Sequence, residues 1–154
     1  MGHDSEMMLP LPVLRLIKKG VRIPAPFSVD IGAEVDPARI SGEGVVFYGG
    51  TKIYGSGTLI SAGTKLGYEA PVSLSDCRLG RGVELKGGFF ESSVFLAKAN
   101  MASGAQVREG CLLEEEANGG HTVGLKQTIL FPFVTLGSLI NFCDCLMAGG
   151  TDRK

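Results

Sequence analysis

The chain has 154 residues, 44% of them hydrophobic and 20% charged, with 15 Lys+Arg against 16 Asp+Glu. That length suits a single domain with a real core, and the near-zero charge balance excludes a nucleic-acid binder working through a broad basic face. Glycine is in excess at 23 residues and Trp is absent, which argues against a helical bundle, since each Gly inside a helix costs about 1 kcal/mol relative to Ala.

Residues 1–10 carry Asp4 and Glu6 and no apolar run. They read as a disordered tail, not as a signal peptide. Four cysteines, spread out except for Cys143 and Cys145, fit a reduced, cytoplasmic protein. No further Cys or His lies near that pair in sequence, so no metal site is expected. Leu11–Lys19 (LPVLRLIKK) reads as a short amphipathic helix ending at Gly20. Residues 11–20 would then cap the first strands of the next segment.

From Ile23 the chain repeats in sixes. Stepping through Ile23, Val29, Val35, Ser41, Phe47, Ile53, Leu59, Lys65, Pro71, Cys77, Val83, Phe89, Phe95, Met101, Val107 and Leu113, thirteen of the sixteen residues are apolar. Two places earlier the residue is usually small, as at Thr51, Ser93 and Ala105. Three places later Gly recurs, as at Gly50, Gly104 and Gly110. Residues two apart on a strand share a face, so the small and the large residue both point inward, and Gly supplies the freedom to turn. One hexad is a short strand plus a corner. Three close a triangle, and stacked triangles pair as parallel sheets about 4.8 Å apart per strand. The fold class expected is all-β, a parallel β-helix of hexapeptide repeats with about five coils over 21–113. A β-sandwich would vary its loop lengths more.

The rule fails at Lys65 and Pro71, which predicts a bulge across 65–72, and slips slightly at Arg39–Ile40–Ser41. Tyr48, Tyr54, Ile60, Leu66, Val72, Phe90 and Leu96 would face outward, as on a buried subunit face. The hexads stop after Leu113, so 114–128 reads as a loop or phase-breaking insert. Apolar pairs return at Val134/Leu136, Ile140/Phe142 and Leu146/Ala148, assigning 129–151 to further coils. The uncharged run 127–143 is therefore strand and not a membrane span. The bare final coil suggests a truncated chain or a partner over that end.

The rhythm and several short motifs resemble the hexapeptide-repeat acetyltransferase half of bifunctional UDP-N-acetylglucosamine pyrophosphorylase / glucosamine-1-phosphate acetyltransferases. Leu16–Val35 is similar to that family's first coil. Ala105–Gly110 (AQVREG) is similar to its Ala-Arg-x-Arg-Pro-Gly motif, His121–Lys126 (HTVGLK) to its Asn-Phe-Val-Glu-x-Lys motif, and Ala148–Thr151 to its closing Gly-Ala-Gly-Thr. The resemblance implies a left-handed helix, a trimer, a small sugar or sugar-nucleotide ligand and acetyl-CoA as acyl donor. It also implies that Arg108 contacts sugar phosphate and Lys126 the sugar. The nucleotidyltransferase domain is missing, and the family's catalytic His falls near Pro132.

The residues allow a matching chemistry. Arg108 and Lys126 are the types that hold a phosphate, and Asn118 lies in the same segment. His121 is the one histidine outside the tail and the candidate general base, with a carboxylate orienting its ring. The expectation is an acyltransferase-like protein acting on a sugar or sugar phosphate. The alternative is a non-catalytic module for oligomerisation or sugar-nucleotide binding. Neither nucleic acid nor membrane is expected as a partner.

Overall fold

The structure, a computed structural model, describes residues 8–149; His3, nearly all of the N-terminal tail and the end of the last assigned coil lie outside them. The chain forms an all-parallel β-solenoid of about six turns. Sheet 1 has seven strands, running from Asp30–Ile31 through Lys52–Tyr54, Val72–Ser75, Gly88–Glu91, Ala105–Val107 and Gly124–Lys126 to Asn141–Cys143. Sheet 2 has six, from Val46–Phe47 to Thr135–Leu136, and sheet 3 has six, from Leu59–Ile60 to Leu146–Met147. The chain visits sheets 2, 1 and 3 in turn, so each strand pairs with the one a full turn before and after it. No helix among the described residues is long and apolar enough to cross a membrane, and the uncharged run 127–143 is built into strands of all three sheets.

Helix α1 spans Leu11–Lys19 and ends where Gly20 takes a left-handed conformation, φ 119°. Its buried residues are Val13 and Leu16, spaced to share one helical face. They join the core, and Lys19 Nζ donates to the Pro37 carbonyl at 2.7 Å. The helix thus covers the first coil.

Three inward columns fill the triangle. Phe47, Leu66, Leu85 and Met101 come from sheet 2, Ile53, Leu74, Phe90 and Val107 from sheet 1, and Ile60, Leu79, Phe95 and Leu113 from sheet 3. The Phe90 and Phe95 rings meet edge to face at 5.8 Å. Smaller residues sit behind them at the corners. Buried Thr51, Thr58, Thr64 and Thr128 donate their hydroxyls to the carbonyls of Tyr48, Tyr54, Ser61 and Lys126 at 2.7–2.9 Å. The small position therefore also satisfies backbone carbonyls at the bends.

The structure corrects the sequence reading in three ways. First, the step of six is not constant. Consecutive inward residues are seven apart from Ile53 to Ile60 and eight from Leu66 to Leu74, but five from Leu74 to Leu79, Leu85 to Phe90 and Phe90 to Phe95. Gains and losses cancel, so counting in sixes returns to phase at Phe95. In between, Leu59, Lys65, Pro71 and Phe89 are not core residues. Second, Ile60, Leu66, Val72 and Phe90 are buried, not outward. Third, 114–128 is no insert. It forms the strand Asn118–Gly119, the strand Gly124–Lys126 and the corners between them. Its pattern was hidden because Gly119 occupies a large inward position, where Met101 from the neighbouring coil fills the space.

Candidate functional site

The outer face of sheet 1 carries two parallel columns of side chains, fixed by strand register. Gln106, Gly124 and Asn141 stack in one. In the other, Lys126 pairs with Cys143, and the Arg108 amide donates to the Leu125 carbonyl, which sets Arg108 beside Lys126. Neighbours in a column are about 4.8 Å apart. Gly124 has no side chain, and Asn141 Oδ1 leans across the space, 2.9 Å from where a Cβ would stand.

The far wall rises from the corner between sheets 2 and 1. Gly104, Thr122 and Leu139 occupy successive turns there with φ of 79°, 57° and 64°. Thr and Leu are unusual in this region; here they project outward and raise the wall. The result is a groove of about 510 Å³, with a cationic edge at Arg108 and Lys126, an amide floor and an apolar edge at Leu139 and Ile140.

Charges around the cationic edge are balanced. Lys126 Nζ lies 3.5 Å from Glu109 Oε1. The Glu109 carboxyl is held below its usual range by its own backbone N–H and, further down the order of causes, by Lys126. Glu91 precedes Arg108 in the same column. The pair is exposed, so its contribution to stability is small, but it sets the local field where an anion would sit.

The site residues expected from the sequence separate into three places. Arg108 and Lys126 line the groove together. Asn118 lies on the outer face of sheet 2, between Asn100 and Thr135, and faces away from it. His121 sits at the corner and is outside the groove lining. Its Nε2 is 3.4 Å from Glu69 Oε2. Glu69 belongs to the loop 67–71, which leaves sheet 2 and runs down the corner past two coils. The amides of Glu69 and Ala70 donate to the Lys86 carbonyl, and the Ser103 amide donates to Glu69 Oε1 at 3.3 Å. The loop falls within the region where the spacing predicted a bulge. The carboxylate at His121 thus comes from 52 residues earlier in the chain.

Sequence reasoning missed Gln106, Gly124, Asn141, Thr122 and Leu139. The signal for the first three was present: each lies two residues before Arg108, Lys126 or Cys143 and so shares their outward face. Cys143 is exposed in the groove. Cys77, in the core, differs: burial pushes its thiol up to about 12. Burial also raises the Cys111 thiol.

No protein-family model matches the chain, and no curated protein matches it. The β-solenoid itself is compatible with hexapeptide-repeat transferase-like proteins.

Proposed function

We propose that the sheet 1 groove binds a small phosphorylated sugar, in a protein related to hexapeptide-repeat sugar acyltransferases. One observation carries the reading: Arg108 and Lys126 stand side by side on one edge of a groove whose floor offers neutral amides. Guanidinium and ammonium groups at that spacing suit a phosphate. The Gln106 and Asn141 amides, each both donor and acceptor, suit sugar hydroxyls.

Acyl transfer from acetyl-CoA is the finer form of this reading and needs a base near neutral pKa. His121, held by Glu69, is the candidate. The non-catalytic alternative draws on a specific observation: the residues lining the groove include neither an imidazole nor a carboxylate. Self-association, as a trimer in the resembled family, belongs to both forms.

Glucosamine-1-phosphate titrated into the protein, followed by calorimetry and thermal shift, tests the binding reading. Micromolar to millimolar affinity that falls about tenfold or more in Arg108→Gln and in Lys126→Gln is expected. Binding that is absent, or unchanged in both variants, rejects the site. Release of free CoA from acetyl-CoA in the presence of the sugar phosphate, lost in His121→Ala, supports transfer. Binding without CoA release selects the non-catalytic form.

A further inference from the structure

The two edges of the sheet 1 groove differ in kind. Arg108 and Lys126 hold the cationic edge, and Leu139 and Ile140 form the opposite one. Along the chain Lys126 stands four residues from Thr122, and Arg108 four from Gly104. At about 3.3 Å per residue, with the corner folding part of that length back, the edges lie on the order of 10 Å apart. Between them are the uncharged amides of Gln106 and Asn141. Among the described residues, those lining the groove include neither a carboxylate nor an imidazole.

Leu139 is the odd residue of the apolar edge. It is 78% exposed at φ 64°, one coil on from Thr122 at 57° and two from Gly104 at 79°. Gly104 shows that a glycine closes this corner. A leucine in the same conformation costs conformational energy, and at that exposure burial in the core does not offset it. Backbone outliers of this kind cluster where ligands are held. The outlier and the cavity are separate observations, and both fall on Leu139.

We propose that the groove takes a hexose phosphate whose ring is apolar at the end remote from the phosphate: a 6-deoxy sugar, with its methyl group on Leu139. The inference rests on the reading of the groove as a sugar-phosphate site. With the phosphate on Arg108 and Lys126, the anomeric carbon of a sugar 1-phosphate lies at the cationic edge. Carbons 4 to 6 then point across the amides toward the apolar edge. A hydroxyl set against Leu139 gives up water and meets no partner, whereas a methyl group gains by leaving water. An ammonium group there would meet no counter-charge, in a groove that already holds two cations. The far end of the ligand is therefore uncharged and apolar, and the near end anionic.

The test titrates three probes into the whole chain by calorimetry: glucose 1-phosphate, 6-deoxyglucose 1-phosphate and 2-deoxyglucose 1-phosphate. The 6-deoxy sugar should bind about three- to tenfold tighter than glucose 1-phosphate, the measure of one methyl-sized apolar contact. The 2-deoxy sugar lacks a hydroxyl beside the phosphate, away from Leu139, and should bind no tighter than glucose 1-phosphate. In Leu139→Gly the 6-deoxy preference should vanish. That variant relieves the backbone, so it keeps the fold, which strand circular dichroism checks. Equal affinity for glucose 1-phosphate and the 6-deoxy sugar overturns the proposal and leaves the sugar-phosphate reading standing. So does a 2-deoxy sugar bound as tightly as the 6-deoxy one, or a 6-deoxy preference that survives Leu139→Gly. Binding of none of the three probes rejects the sugar-phosphate reading, and this proposal with it.

Discussion

Leu139 is 78% exposed and sits at φ 64°. A left-handed conformation costs an L residue roughly 1–2 kcal/mol, and an exposed side chain recovers little of that by burial. Leu139→Gly should therefore raise stability, by about 0.5–1 kcal/mol after the greater freedom of Gly in the unfolded chain is allowed for. A higher denaturant midpoint at unchanged slope would show it; a lower midpoint would mean that the Leu packs in solution. Gly88 is the opposite case. It lies at φ 122°, and a Cβ there would run into the Ala105 carbonyl oxygen. Gly88→Ala is expected to cost more than about 2 kcal/mol, because strain and collision act together. Cys77 gives a third residue-scale expectation. Its folded thiol pKa is raised, so the folded state keeps the proton when the unfolded chain gives it up. Stability from this group is full below the unfolded value of about 8.5 and is lost as pH rises toward the folded value of about 12. Cys77→Ala should flatten that alkaline decline in melting temperature, and a thiol reagent at neutral pH should label Cys143 long before Cys77.

At the scale of the element, the unit is one strand and its corner, and corner length sets what the sequence discloses. Six-residue corners put the left-handed residue three places after the large one, as at Gly63 after Ile60 or Lys98 after Phe95. The five-residue corners after Leu74, Phe90 and Leu125 put it two places after, at Asp76, Ser92 and Gln127. A reader counting sixes finds the fold, because the inward residues dominate on average. The same reader misplaces sides across 59–90, where corners of five, seven and eight residues alternate. Arg108 and Lys126 were legible as a pair, since every step between inward positions from Phe95 to Leu125 is six residues. His121 was legible as a histidine but not as a partner of Glu69, because a loop crossing two coils leaves no periodic trace. Beside the groove, Glu109 moderates the field of Lys126. Glu109→Gln should tighten sugar-phosphate binding about two- to fivefold at low salt, with the gain shrinking as ionic strength rises; no change at low salt would mean that the phosphate lies elsewhere.

For the whole molecule, the core is one continuous column along the solenoid axis, and every coil depends on its neighbours for burial. Phe95 stands mid-column, fully buried against Phe90. Phe95→Ala should cost about 3–5 kcal/mol, and the loss should be felt on both sides of the cut. Urea melts followed by the tyrosines, which lie at Tyr48, Tyr54 and Tyr68, would then separate from the strand circular dichroism. Coincident curves would show that the coils still unfold together.

The stacking has a kinetic consequence. Each strand pairs only with strands one turn away, between 16 residues, as from Leu79 to Phe95, and 22, as from Ile31 to Ile53. A typical separation near 18 in a chain of 154 residues corresponds to a relative contact order of about 0.12, within the range of mixed α/β domains and below that of sandwiches. An all-β protein built this way closes only short loops, so it should fold faster than a sandwich of equal length. It can begin wherever two adjacent coils first meet and grow toward both ends.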